Sequence, residues 1–378
     1  MKGKEKRAVF SPLTCGVSLC VITDNDYCVP TIVSLTSAKR NKRRESHYRV
    51  HIIQCRVSSF YLHKFRELDA PDFEIIIHDG DIEKYEWVRV KGHVPITAML
   101  KLDMASHLSN EGRTLYIDGD TIIKDDLTDL FYTDLEGVPI AAVRDIGGEL
   151  KQKYGEKIGV KKYYNAGILL IDLDLFREEK AQAGLLKKQM NAPDEWCCLE
   201  QDNLNTYFNG RIKELPFRYN ALIPMCLNKF YNYNIEDINA FYGTMYSSME
   251  EAENDAAIIH FAGESWARPW NVICGSYSNI WQHYYDISPI RDQWLKLHID
   301  LASIHSIREE MSALENRAMA YTQKYVWDMH EKWSENSGCL STRVYKLFSC
   351  IPILKIIRDE RHTGYYLFCL IPIISFHR

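Results

Sequence analysis

The sequence predicts an α/β protein with a mainly parallel mixed sheet, helices on both faces and a C-terminal part of different character. Three observations carry this. Short β-branched runs alternate with helical patterns through the first two thirds of the chain, polar residues gather where those runs stop, and the alternation ends near Pro289. In such sheets ligands bind beyond the carboxyl ends of the strands, which is where the polar clusters fall.

At the start, a basic segment precedes an apolar one as in a signal peptide. Ser, Thr, Pro and Gly interrupt the apolar part and no A-x-A site follows, so Val17–Ile22 reads as the first strand. Further strands are predicted at YRVHIIQC (Tyr48–Cys55), FEIIIHD (Phe73–Asp79), RTLYIDGD (Arg113–Asp120), PIAAVRD (Pro139–Asp145), AGILLIDLDLF (Ala166–Phe176) and AAIIHFAG (Ala256–Gly263). Helices are expected at Pro30–Lys39 and Thr97–Leu108, and the basic run Lys39–Arg44 reads as a solvated loop or helix end. These elements form an expected catalytic domain over residues 1–285.

Beyond it, Ile304, Ile307, Met311, Leu314, Ala318, Tyr321 and Tyr325 keep a 3-4 spacing. That stripe predicts a helical extension over 286–338, packed on the chain's own domain or forming a homodimer contact through residues 304–325. In the last segment, 339–378, YKLFSCIPILKI (Tyr345–Ile356) recurs twenty residues later as YYLFCLIPIISF (Tyr365–Phe376), and after residue 340 there are six Lys/Arg against two acidic residues. Basic residues beside aromatic and aliphatic ones, in runs short of the ~20 residues that cross a bilayer, predict an amphipathic tail at the inner leaflet of an anionic membrane.

Composition narrows the function. With 378 residues and a formal net charge of −5, the chain has no electrostatic case for nucleic acid. Eleven cysteines, single apart from Cys197-Cys198 and without any C-x-x-C, point to reduced thiols in a cytoplasmic protein, peripherally attached to the membrane.

Four D-x-D triplets occur: Asp24/Asp26, Asp79/Asp81, Asp118/Asp120 and Asp172/Asp174. Asp118 and Asp120 end an apolar run that resumes after a single threonine, whereas Asp79/Asp81, with the same glycine between, leads into the polar IEKYEW. In extended backbone, residues i and i+2 point the same way, so both carboxylates can converge on one hard cation while Gly119 leaves a ligand room to approach. Such a cation, Mn²⁺ or Mg²⁺, would bridge them to phosphate oxygens. His260, at the end of another apolar run, is the candidate third ligand, and an imidazole favours Mn²⁺. Asp79/Asp81 reads as a solvated turn. An aspartyl-nucleophile phosphatase would need Thr or Val at position 122, which holds Ile122.

Taken in order, TDNDY, LYIDGDTII, AAVRD, YYNAGILLIDL, EQDNLN, LPFRYN and HFAG followed by RPW resemble family 8 glycosyltransferases. These are retaining enzymes of GT-A fold that use nucleotide-sugar donors, with the bacterial lipopolysaccharide galactosyl- and glucosyltransferases the nearest group. The resemblance implies that Asp118, Asp120 and His260 bind the metal. It implies that Asp24, Asn25 and Tyr27, in a motif begun by Thr23, hold uracil and ribose. Asp145, Asn165 and the Glu200-Gln201 pair would line the donor sugar and reacting carbon, and Gly119, Ala166 and Gly263 complete the donor site. Three positions depart from the family pattern: Arg268 stands for its phosphate-contacting lysine after a two-residue insertion, Lys101 for an arginine directed at the diphosphate, and Glu200 for an aspartate. The expectation is a Mn²⁺-dependent retaining transfer of galactose or glucose from a UDP-hexose to a glycan or glycolipid. Glu200 and Asp145 are the carboxylates available for a covalent route, and Gln201 steadies the sugar in an ion-pair route. The altered phosphate contacts leave a non-catalytic membrane scaffold or sugar-binding protein as the alternative. For the acceptor, Met225–Tyr246 supplies the tyrosines and asparagines that stack on and bind sugars.

Overall fold

In a computed structural model, the structure describes residues 15–88, 95–222, 233–263, 268–270, 278–291, 339–347, 351–359, 362–367 and 371–377. The chain divides into two compact units, Met1–Lys296 and Leu297–Arg378.

The first unit is built on a seven-stranded sheet of order β3-β2-β1-β4-β7-β6-β8. Its strands are β1 (Cys15–Asp24), β2 (Ser46–Cys55), β3 (Phe73–Asp79), β4 (Arg113–Ile117), β6 (Ile140–Arg144), β7 (Tyr164–Asp172) and β8 (Ile212–Glu214). β1 is parallel to β2 and β4, β2 to β3, and β6 to β8, whereas β7 runs antiparallel to both β4 and β6. The sheet is therefore mixed and mainly parallel. Strands of this kind are buried on both faces, which is why they read as continuous apolar runs: Leu19, Cys20 and Val21 are all fully buried, as are Ile52 and Ile53.

The antiparallel reversal of β7 positions the site. Because β7 runs against β4, its first residues lie beside the last of β4, with Ile117 opposite Ile168. Because β6 runs against β7, Arg144 lies opposite Tyr164. Residues from three strands thus meet at one edge of the sheet. A second, two-stranded sheet pairs β5 (Thr121–Ile123) with β9 (Ile258–His260), and its register sets Thr121 opposite His260.

Helix α1 (Cys28–Asn41) packs against β5 and spans the expected Pro30–Lys39. Its basic end is the expected helix end but only partly solvated: Arg43 is exposed and meets Asp129 at 2.9 Å, whereas the Lys42 side chain is buried against Asp72. α2 (Ser59–Arg66) follows β2. The expected helix at Thr97–Leu108 is instead a 3₁₀ segment, Ile96–Asp103, running into one α turn, α3 (Met104–His107). Every residue from Met99 to Ala105 is buried, so no solvent face sets a 3.6-residue period. The apolar run Ala166–Phe176 stops as a strand at Asp172, whose carboxylate accepts the Leu175 N–H and caps α6 (Leu173–Glu178). The fourth D-x-D, Asp172/Asp174, is thereby a helix start.

In the second unit four antiparallel strands run in chain order: β10 (Cys339–Leu347), β11 (Ile351–Asp359), β12 (His362–Leu367) and β13 (Ile371–His377). The twenty-residue repeat is a repeated hairpin. Leu347 pairs with Ile351 and Lys346 with Pro352 in one copy; Leu367 pairs with Ile371 and Tyr366 with Pro372 in the other. Each copy has its register shift at the same place, Tyr345/Lys346 and Tyr365/Tyr366. The amphipathic tail expected to lie along a membrane is thus a four-stranded meander. The stripe at 304–325 lies outside the described residues. Among the described residues no helix is long and apolar enough to cross a membrane.

Candidate active site

Asp118 and Asp120 follow β4, and β9 carries His260 up to them. The Asp118 N–H donates to Gly167 O at 2.7 Å, and the Phe261 N–H donates to Asp120 O at 2.9 Å, so backbone fixes both ends of the cluster. One oxygen from each carboxylate and one His260 nitrogen lie within 4.8 Å of one another. His260 Nε2 is 3.2 Å from Asp120 Oδ1 and 3.8 Å from Asp118 Oδ2. Ligand atoms around a hard cation at about 2.1 Å stand about 3 Å apart, so the spacing fits a divalent ion.

The orientation of His260 follows from a directed relay. The Gly167 N–H donates to Asn165 Oδ1 at 2.9 Å, which sets the orientation of that amide. Asn220 Nδ2 then donates to the same oxygen, leaving Asn220 Oδ1, an acceptor only, 2.8 Å from His260 Nδ1. His260 therefore donates from Nδ1 to Asn220 and points Nε2 at the carboxylates, the orientation of a metal-ligating histidine. Asp120 Oδ1 is buried and has no hydrogen-bond partner, which is the vacancy a cation fits. Burial opposes ionisation of Asp120, yet His260, Arg268 and Tyr27 hold its carboxyl well below the usual range.

Two glycines flank this cluster. A Cβ on Gly167 would lie 2.2 Å from His260 Cε1 and 2.9 Å from Asp118 Oδ2, so only glycine fits beneath the ligands. Gly119 has a different partner from the one expected. A Cβ there would meet Thr31 Oγ1 at 2.2 Å, so its missing side chain admits α1 and not a ligand.

The remaining donor-site candidates converge on the same edge. Tyr27 OH donates to Asp120 Oδ2 at 2.9 Å, linking the β1 end to the carboxylate pair. Arg268 lies 3.7 Å from that oxygen, with its guanidinium over the Tyr27 and Trp270 rings at 5.3 and 5.9 Å. It reaches the cluster across the insertion. Gly263, at φ +110°, takes a backbone shape that only glycine adopts freely. Asp24 accepts the Tyr27 N–H at 3.0 Å, and exposed Asn25 accepts the Ser58 N–H at 3.1 Å. Burial raises the Asp24 carboxyl above its ordinary value. Thr23 is buried, its hydroxyl turned to Asp24 O at 3.1 Å.

Asp145 is a hub. It accepts from Gly147 N at 2.9 Å, from Gln201 Nε2 at 3.0 Å and from Asn165 Nδ2 at 3.4 Å. Gln201 is oriented from its other end by the Ala166 N–H, 2.9 Å from Oε1. Lys101, expected in place of an arginine directed at the diphosphate, turns inward instead. It is 6% exposed and its ammonium meets Glu200 Oε1 at 3.0 Å, Asp118 Oδ1 at 3.1 Å and Ala166 O at 3.2 Å. All three donors are spent inside the protein. Burial opposes its charge, but Asp118 and Glu200 hold it protonated; burial also raises Glu200, against the pull of Lys101. Two of the three departures from the family pattern thus touch each other: a shorter cation than arginine meets a longer acid than aspartate.

Sequence reasoning missed Gly167, Asn220, Tyr116, whose hydroxyl donates to Asp118 Oδ1 at 2.5 Å, and Thr31. Gly167 and Asn220 stood inside recognised motifs, and only their partners were missing. Of the expected acceptor segment, 225–232 lies outside the described residues, and the rest contains the helix Ile235–Tyr242.

A mixed α/β sheet with paired carboxylates and a histidine at its strand ends is the arrangement the resemblance implied, and comparison with known proteins agrees. Residues 18–274 match the model described as glycosyl transferase family 8, and the chain belongs to that family. A probable glycosyl transferase, Gly, of Streptococcus gordonii is 29% identical over 226 residues, covering 58% of this chain and 28% of that protein. Glycosyltransferase GlyA of Streptococcus pneumoniae is 28% identical over 208 residues, covering 55% of this chain and 25% of that protein. The match thus spans about a quarter of the length of these relatives. In fold, the chain is similar to the galactosyltransferase LgtC solved with donor and acceptor sugar analogues, at a TM-score of 0.59 and 21% identity, over 72% of this chain and 96% of that one.

Proposed function

We propose that the protein transfers a hexose, galactose or glucose, from a UDP-sugar to a hydroxyl of a cell-surface glycan or lipid-linked acceptor such as lipopolysaccharide, with retention of configuration. The observation that carries this reading is the convergence of Asp118, Asp120 and His260 Nε2, with Asp120 Oδ1 buried and without a hydrogen-bond partner. Asp118, Asp120 and His260 would hold Mn²⁺, with Mg²⁺ as the substitute. When bound, the ion supplies Lewis-acid stabilisation of charge on the leaving diphosphate.

The chain's own residues do the rest in this reading. Thr23, Asp24, Asn25 and Tyr27 bind uracil and ribose; Gly263 and Arg268 face the diphosphate. Asp145, Asn165, Ala166, Glu200 and Gln201 line the sugar. Asp145 accepts three hydrogen bonds and Glu200 is paired with Lys101, and both commitments lower carboxylate nucleophilicity. The reading therefore favours same-face attack of the acceptor hydroxyl, with Gln201 steadying the sugar and the departing phosphate taking the proton. Lys101 acts as the internal counter-ion of Glu200. The basic, aromatic C-terminal repeat is assigned to the inner leaflet of an anionic membrane, which vesicle flotation with and without anionic lipid would test.

The decisive experiment is UDP release from a panel of UDP-sugars, with Mn²⁺ and then EDTA, for the native chain and Asp120→Ala. Metal-dependent turnover of one donor, lost in the variant, is expected. Equal release with EDTA would overturn the metal-dependent reading.

A further inference from the structure

The adjacent cysteines Cys197 and Cys198 take no part in the site described above, yet they stand directly before the residues that line it. Cys197 is exposed, and its sulfur lies 3.6 Å from that of Cys198. Both backbone N–H groups donate to one oxygen, Asp202 Oδ2, at 2.9 and 2.7 Å. The next residue, Leu199, has φ +37°, a left-handed backbone shape that leucine rarely takes. Leu199 also begins α8 (Leu199–Tyr207), whose second and third residues are Glu200 and Gln201.

A soft metal is one ligand two thiols could take, with Asp202 as the third donor. Asp202 has nothing left to give it. Its Oδ2 accepts both cysteine amides and Tyr154 OH at 2.6 Å, and its Oδ1 accepts the Tyr163 hydroxyl. Cys20, Cys28 and Cys55 are buried where Cys197 is exposed, and burial pushes each of those three thiols up, Cys55 to about 12. Thiols of that kind are poor nucleophiles.

We propose that Cys197 and Cys198 are a modification site that closes to a vicinal disulfide by exchange with a small-molecule disulfide. The thiolate of Cys197 attacks one sulfur of the small disulfide and expels its first thiolate. The Cys198 sulfur then attacks Cys197 Sγ, breaks the mixed bond and expels the second. The protein loses two protons and two electrons; the small disulfide gains both and becomes two thiols. Adjacent Cα atoms are held about 3.8 Å apart by a trans peptide, below the range of about 4.4–6.8 Å that disulfides prefer. The bond is therefore strained and readily reduced, as regulatory disulfides are.

Closing the sulfurs from 3.6 Å to about 2.0 Å twists the peptide between them. That peptide supplies an N–H to Asp202 and leads through Leu199 into Glu200 and Gln201. Oxidation accordingly displaces the start of α8 and lowers turnover. This consequence for turnover rests on the transferase reading, whereas formation of the disulfide does not.

The test treats the full chain with oxidised glutathione and measures by mass the peptide containing residues 197 and 198, alongside Cys198→Ser. Loss of two hydrogen atoms from the native peptide, restored by dithiothreitol, is expected, with a glutathione adduct in the variant. A native peptide that stays reduced, or that stops at the adduct, overturns the proposal. A several-fold fall in UDP release on oxidation, reversed by dithiothreitol and absent in Cys198→Ser, is the expected second readout. A fully formed disulfide with an unchanged rate would remove the link to α8 and leave the modification site intact.

Discussion

Asp120 and Glu200 are both buried carboxylates with one oxygen lacking a hydrogen-bond partner, yet their surroundings push them in opposite directions. Asp120 faces His260, Arg268 and the Tyr27 hydroxyl, and despite its burial its carboxyl is held well below the ordinary value. Glu200 has Lys101 as its cation, and burial outweighs that partner, so its carboxyl is raised. In the proposed reading the difference is between a charge that takes an incoming cation beside His260 and Arg268 and one held by Lys101 alone. A buried carboxylate is costly unless paired. For Glu200 the pairing is internal, and for Asp120 the vacant oxygen leaves a place for a metal.

The harshest way to break this contrast is to remove Asp120. Asp120→Ala should abolish Mn²⁺ binding, measured by calorimetry, and lower UDP release on the order of 10²–10³-fold, the scale of losing a principal electrostatic stabiliser. Retained Mn²⁺ affinity would show that the cation sits elsewhere. Gly167→Ala is next, because its Cβ would strike His260 Cε1. Overpacking of this kind costs about 1–3 kcal/mol, so a lowered melting temperature should accompany at least about tenfold weaker Mn²⁺ binding, the low end for disturbing a ligand's supporting shell.

Glu200→Gln sharpens the other half. If Glu200 positions the sugar as Lys101's partner, UDP release should fall by about tenfold or less, whereas removing a covalent nucleophile costs on the order of 10⁴-fold or more. Its pH dependence has a definite sign. A carboxyl with a raised folded-state pKa contributes stability that is full below the unfolded value of 4.5 and is lost as pH rises through the folded pKa. Thermal melts from pH 4.5 upward should therefore show a flatter decline for Glu200→Gln than for the native chain; identical slopes would mean another group titrates. The smallest effect belongs far from both carboxylates. Asn234 and Asp237 cap the helix Ile235–Tyr242 reciprocally, so Asn234→Ala should cost about 1 kcal/mol in denaturant unfolding with Mn²⁺ binding unchanged.

Much of this was legible in the amino-acid order. The strands showed because central strands buried on both faces are continuous apolar runs, and the run ending in Asp118-Gly119-Asp120 marked the site because charge at a buried strand end needs a partner. His260 was legible for the same reason. The 3₁₀ segment Ile96–Asp103 was not, since a segment buried on all sides has no amphipathic period. Nor was the hairpin nature of the twenty-residue repeat, because apolar side chains beside basic ones suit a membrane surface and a sheet alike.

By itself, then, the sequence determined the alternating α/β order, the strand-end carboxylates and their histidine, since each depends on local pattern and burial. Only the tertiary structure decided what meets what. It turned Lys101 inward onto Glu200, gave Gly119 to Thr31 and Gly167 to His260, and aimed Nε2 through Asn165 and Asn220. Those outcomes depend on the antiparallel entry of β7 and the pairing of β5 with β9, which bring together residues 51 to 139 positions apart, and no local periodicity encodes such contacts.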